Sequence, residues 1–101
     1  MRQPVRDNDM TTSGADSPLE QRTGTFDRQA ANARTYVFNL AYRMTGNRTD
    51  AEDITQETLL RAWANYGAFD ASRSFEAWVL RITANLCIDL YRHLRLVLSG
   101  E

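Results

Sequence analysis

The chain has 101 residues, of which 43 % are hydrophobic and 25 % charged, and a formal net charge of −1; this is enough for one small domain and not for two. No apolar run approaches the roughly 20 residues of a membrane-spanning helix, and the N-terminus lacks the apolar segment of a secretory signal. A single cysteine, Cys87, excludes an internal disulfide, so a soluble protein of the cytoplasm is expected.

Residues 1–24 are polar, rich in Thr, Ser, Asp, Arg and Gln, and nearly free of large apolar side chains. Such a segment buries too little surface to offset its ordering entropy, which predicts a flexible, disordered tail. Within it, Ser17-Pro18-Leu19-Glu20 makes a capping box with proline at the first helical position. Thr23-Gly24-Thr25 is expected to stop that short helix within two turns. Met10 offers an alternative start. The folded domain is then predicted over residues 25–98.

Three helices follow. The first is predicted over 26–45, with Phe26, Ala30, Ala33, Val37, Leu40, Ala41 and Met44 on one stripe, and Gly46 and Asn47 stopping it. The second takes Asp50 as N-cap, carries Glu52 and Asp53 in its first turn, where the helix dipole favours anions, and ends at Gly67. A loop over residues 67–73 leads to Ser74, the cap of a third helix over 75–96. Its buried stripe reads Phe75, Trp78, Val79, Ile82, Leu86 and Leu90. Neither strand-like alternation nor an internal repeat occurs in the sequence, so the expected architecture is all-α, a compact three-helix bundle.

The second helix carries information on both faces. At about 100° per residue, Ala51, Ile54, Thr58, Leu59 and Ala62 share the side that a helix buries. Asp53, Gln56, Glu57 and Leu60 fall on the opposite side. A leucine exposed among acids and an amide suits a docking face for a basic partner. The same pattern also fits a solvated acidic face with one tolerated leucine.

On the third helix, Arg81, Asn85, Ile88, Arg92 and Arg95 form a stripe away from the core, with Asp89 placed to orient Arg92 and Asn85. Three arginines and an amide along one face can track a phosphate backbone; a solvated face with local ion pairs is the plainer alternative. All twelve basic residues of the chain are arginine. GC-rich coding gives that usage too, but arginine also supplies planar forks for phosphates and carboxylates.

Catalysis is not expected. Carboxylate metal sites in bundles need acids facing inward from several helices, usually with Glu-x-x-His. Here the one histidine, His93, lies in no such motif, and Asp53 and Glu57 point outward. Cys87 lies near the buried edge of its helix and reads as a small core hydrophobe. The sequence holds neither a glycine-rich phosphate loop nor a nucleophile elbow, and no cofactor is implied.

The run Y-V-F-N-L-A-Y-R-M-T-G-N-R-T-D-A-E-D-I-T-Q-E-T-L-L-R-A-W, then F-D, then S-F-E-A-W-V-L-R-I-T-A-N-L-C-I-D-L-Y-R, resembles the second conserved region of bacterial sigma factors. It is most similar to the extracytoplasmic-function group, over about residues 26–95. The resemblance implies that the second helix docks on the clamp helices of the RNA polymerase β′ subunit through Asp53, Gln56, Glu57 and Leu60, flanked by Arg61, Trp63 or both. It also implies that the loop over 67–74 and the third helix recognise and melt the minus-ten promoter element. A base of the non-template strand would be flipped into a pocket lined by Phe69, Asp70, Ser72 and Arg73. Arg81, Asn85, Arg92 and Arg95 would lie on backbone and bases. Stacking of such a base contributes about 1–3 kcal/mol. Phe75 and Trp78 match positions expected to be mainly core.

Two departures qualify this expectation. Members of the group carry a second, helix-turn-helix domain that is absent from this chain, and they continue with a strongly basic run where residues 94–101 are mostly apolar and end acidic. An excised domain or a naturally short form is expected, with DNA affinity that is weak away from polymerase and strongly salt-dependent. A sigma-like decoy that binds an anti-sigma factor without promoter DNA is the alternative. The missing domain favours it; the arginine stripe and intact loop disfavour it.

Overall fold

The structure, a computed structural model, describes residues 18–100; of the expected tail, residues 1–17 lie outside the described residues. Three helices account for nearly all of it: α1 (Pro18–Thr45), α2 (Arg48–Ala64) and α3 (Phe75–Leu98), with one turn of 3₁₀ helix at Tyr66–Ala68. No strand occurs among the described residues. The all-α three-helix architecture is the expected one, but three boundaries differ.

The first concerns α1, which runs unbroken through Thr23-Gly24-Thr25 where a stop was expected. Gly24 is exposed, and nothing stands within 4 Å of the place a Cβ would take. Glycine there costs only about 1 kcal/mol relative to alanine. The turns on either side are held by tertiary contacts that outweigh this: Phe26 is buried, and the Arg22 guanidinium sits 5.9 Å from the centroid of the Tyr66 ring. Packing, more than propensity, decides helix stability.

The second boundary is the start of α2. Gly46 adopts a left-handed conformation (φ 67°) and its N–H donates to the Tyr42 carbonyl at 2.8 Å, closing α1 as expected. Asn47 is then already extended and caps α2, its side-chain oxygen accepting from the Asp50 N–H at 2.9 Å. The cap is therefore Asn47 and not Asp50. Asn and Asp cap equally well, and the turn at Gly46 puts Asn47 in position one turn earlier. Asp50 remains in the first turn, near the positive end of the helix dipole.

The third is the end of α2, which closes at Ala64 and not at Gly67. Asn65 donates to the Arg61 carbonyl from both its backbone N–H (3.0 Å) and its side-chain amide (2.9 Å). Beyond it the pattern changes to i→i−3 bonds, Ala68 N–H to the Asn65 carbonyl at 2.9 Å and Phe69 N–H to the Tyr66 carbonyl at 3.1 Å. Gly67 then falls inside the 3₁₀ turn. At the start of α3 the Ser74 hydroxyl accepts from the Ala77 N–H at 3.0 Å, as expected.

Packing fixes the helix directions. Phe26, Ala33 and Val37 of α1 meet Ala62 of α2 and Phe75 and Val79 of α3 at one end. Ala41, Ala51, Ile54 and Cys87 pack at the other. So α2 runs antiparallel to α1 and α3, which run parallel to each other. The expected stripe of α1 is buried or half-buried except Met44, which is 44 % exposed because it lies in the last turn before the reversal at Gly46. Thr55 and Thr83, which periodicity of apolar residues did not mark, are buried with Thr58. Past Leu90 the whole of α3 is exposed.

Candidate functional site

Two surfaces flank the bundle. On α2, Asp53, Gln56, Glu57 and Leu60 are all exposed, Leu60 at 60 %. Inward-facing Ala51, Ile54 and Ala62 hold the helix so that this face looks outward. Arg61 Nε meets Glu57 Oε2 at 2.8 Å one turn along, so Glu57 is already paired. Leu60 is not isolated. With Leu59, Trp63 and Phe26 it lines an apolar groove of about 390 Å³ between α1 and α2. Thr23, Asp27 and Arg34 of α1 form the opposite wall. The helical period of α2 does not show that wall, which comes from the packing of α1 beside α2 and, at Thr23, from α1 beginning before residue 26.

The second surface is built by the 3₁₀ turn, the loop after it and α3. Phe69, Asp70, Arg73, Ala77, Trp78 and Arg81 line a hollow of about 500 Å³ there. Its floor is aromatic: the Phe69 and Trp78 rings lie 4.9 Å apart at 31°, and Phe69 stacks on Tyr66 at 6.0 Å and 9°. Trp78, expected in the core, is half-buried and presents an edge to this hollow, because Phe75 and Val79 fill the interior beside it.

The loop is organised by Asp70. Its Oδ1 accepts from the Ser72 hydroxyl at 2.7 Å and the Ser72 N–H at 2.9 Å, and Arg73 Nε lies 3.5 Å from Oδ2. The Ser72 hydroxyl first, then its N–H and Arg73, hold the Asp70 carboxyl below the usual carboxylate value. Ser72 thus shapes the loop through Asp70, and does not line the hollow.

Arg81 reaches the hollow from nearly two turns into α3 and forms no ion pair among the described residues. Asn85, Arg92 and Arg95 continue along α3, all exposed. Arg92 and Arg95 border a second hollow with Leu96 and Ser99, and the Arg95 guanidinium stands 5.9 Å from the Tyr91 ring centroid. Asp89 makes no ion pair with Arg92 among the described residues, so the expected orienting contact is not formed. The structure therefore gathers Phe69, Asp70, Arg73 and Arg81 in one concavity and strings the remaining three along the helix.

Cys87 is buried, and burial pushes its thiol up from the usual value. Among the described residues no group of three or more His, Cys, Asp or Glu is placed to hold a metal ion, and no helix is long and apolar enough to cross a membrane.

Comparison with known proteins covers most of this bundle. The family model for sigma-70 region 2 matches residues 30–96. The ECF RNA polymerase sigma factor SigG of Mycobacterium tuberculosis (strain ATCC 25618 / H37Rv) is 42 % identical over 71 residues, covering 70 % of this chain and 19 % of SigG. SigW of Bacillus subtilis (strain 168), also an ECF RNA polymerase sigma factor, is 48 % identical over 56 residues, covering 55 % of this chain and 30 % of SigW. SigE of Mycolicibacterium smegmatis (strain ATCC 700084 / mc(2)155) is 46 % identical over 56 residues, 55 % of this chain and 21 % of that protein. The chain spans less than a third of the length of each of these relatives.

Proposed function

Because the chain belongs to the sigma-70 region 2 family, and its relatives are ECF RNA polymerase sigma factors, we propose that it serves transcription initiation. In this reading α2 docks on RNA polymerase, and the loop with α3 holds the non-template strand of melted promoter DNA. The observation that carries it is the division of labour between two exposed faces, one acidic and apolar, the other basic and aromatic.

Each face suits its partner physically. On α2, Leu60 and Trp63 are exposed at 60 % and 37 %, and Gln56 lines the same groove. An exposed apolar anchor on a helix face that also carries Asp53 and Glu57 fits the basic side of a helical coiled coil such as the β′ clamp helices. On the other face, a hollow with Phe69 and Trp78 as floor and Arg73 and Arg81 at the rim fits a single unstacked base with its phosphate. The face of Arg92 and Arg95 then extends the basic track along the strand. Polymerase supplies the chemistry; this chain supplies binding, position and strand separation. An anti-sigma factor covering Leu60 would prevent docking.

Docking is tested by capture on immobilised β′ clamp helices, comparing the wild-type chain with Leu60→Glu. The reading expects the variant to be captured at least tenfold less well, roughly the loss of one buried anchor. Equal capture of the two proteins overturns it.

A further inference from the structure

Thr55, Thr58 and Thr83 are the buried polar side chains of the described core. The Thr55 hydroxyl donates within its own helix, to the Ala51 carbonyl at 2.7 Å. That of Thr83 donates to the Val79 carbonyl at 2.8 Å. Thr58 Oγ1 and Thr83 Oγ1 are 3.1 Å apart. With the Thr83 proton committed to Val79, Thr58 is the donor of that bond. A short relay, Thr58 to Thr83 to Val79, therefore crosses from α2 to α3. It is the one side-chain hydrogen bond between these helices among the described residues.

Among the buried apolar side chains of α2 and α3, only Ile54 and Phe75 are large. Ala51 and Ala62 on α2 and Val79 and Cys87 on α3 are small and buried. Small apolar side chains allow close approach, but they give nearly as much contact when one helix slides along the other. A directional bond does not tolerate that slide, because displacement takes its two oxygens out of hydrogen-bond reach. Fixing register is the best-attested use of a buried polar contact in a helical bundle.

We propose that Thr58 and Thr83 are positioning residues that lock the register of α2 against α3, and so fix the polymerase-facing side chains relative to the DNA-facing ones. This rests on the function proposed above for the two faces. Thr58 adjoins Glu57 and precedes Leu60 by two residues; Thr83 lies midway between Arg81 and Asn85. A slip of one helical turn would move one face past the other by about 5.4 Å. That exceeds the roughly 3.4 Å between nucleotides along a duplex strand, so a bound strand would be out of step with the docked enzyme.

The test uses Thr58→Val, Thr83→Val, the double variant and Thr83→Ser. Valine keeps the shape and removes the hydroxyl, whereas serine keeps the hydroxyl. Two quantities are read: the affinity of each chain, bound to core RNA polymerase, for a labelled random-sequence pool of single-stranded DNA, and the amide NMR spectrum of the chain alone. The expected result is a loss of about tenfold in DNA affinity in each valine variant, and no greater loss in the double variant, since the same interhelical bond is broken in each case. Amides of α2 and α3 should broaden or double in the valine variants, and Thr83→Ser should match wild type in both readouts. Should a single variant fail to fold, the double variant, apolar on both sides, carries the comparison. Wild-type affinity with one unbroadened set of peaks in the valine variants overturns the proposal, as does lowered thermal stability with unchanged register and affinity. If wild type itself retains no DNA on polymerase, the reading of the faces fails, while the spectrum still decides the register.

Discussion

Ser72 donates twice to one oxygen of Asp70, from its hydroxyl at 2.7 Å and from its backbone N–H at 2.9 Å. This pair closes the loop that leads from the 3₁₀ turn to α3, and with Arg73 it sets the rim of the aromatic hollow. The loop is exposed beyond Phe69, and the Arg73 N–H adds one backbone bond, to the Asp70 carbonyl at 2.9 Å.

Those bonds are pH-dependent in a defined direction. The Asp70 carboxyl is held below its ordinary value of 3.8 by Ser72 and Arg73, so the stabilisation they give is present above that value. It is lost as pH falls through the lower value of the folded loop. The Ser72 amide resonance should stay constant from neutral pH down to about 4 and move only below the ordinary carboxylate value. Asp70→Ala should give the mobile-loop resonance at all pH values, with little change in the thermal midpoint. A Ser72 amide that titrates at or above the ordinary value contradicts the assigned partners.

Gly24 lies in an exposed turn of α1 with open space around it. Gly24→Ala should therefore stabilise the chain by about 0.5–1 kcal/mol, raising the midpoint of thermal unfolding by about 2–8 °C. Circular dichroism melts measure this directly. A lower midpoint would mean that α1 does not continue through this position.

Phe26 is the hub at one end of the bundle, with its ring centroid 5.2 Å from those of Trp63 and Tyr66 and 5.7 Å from that of Phe75. Phe26→Ala should cost about 3–5 kcal/mol, a large share of the 5–15 kcal/mol typical of a domain. Chemical denaturation should show the midpoint falling with an unchanged slope. A loss under about 1 kcal/mol would mean that the site collapses around the missing ring.

Much of the fold is legible in the sequence because apolar periodicity marks Phe26, Val37, Ala41 and Val79, all buried. What periodicity misses is chemical. Thr55 and Thr83 count as polar in a pattern, yet each returns its hydroxyl to a carbonyl four residues back and so enters the core at little cost. Asn47 and Asp50 are equivalent as caps on paper; the left-handed turn at Gly46 chooses between them. The exposed positions of Asp53, Gln56, Glu57 and Leu60 follow from the helical wheel alone. The α1 wall of the groove beside Leu60 does not, since it depends on how α1 packs beside α2. The hollow at Phe69 and Arg81 needs the loop geometry set by Asp70, which no period encodes.

The central claim is that the arginine face of α3 holds single-stranded DNA in the chain docked on polymerase. The measurement that tests it most directly is the affinity of the polymerase-bound chain for labelled single-stranded DNA over a range of salt, for wild type, Arg81→Ala and Arg92→Ala. The account predicts weaker binding in each variant and a salt slope shallower by about 0.7 per lost phosphate contact. Unchanged affinity and slope in both variants would contradict it.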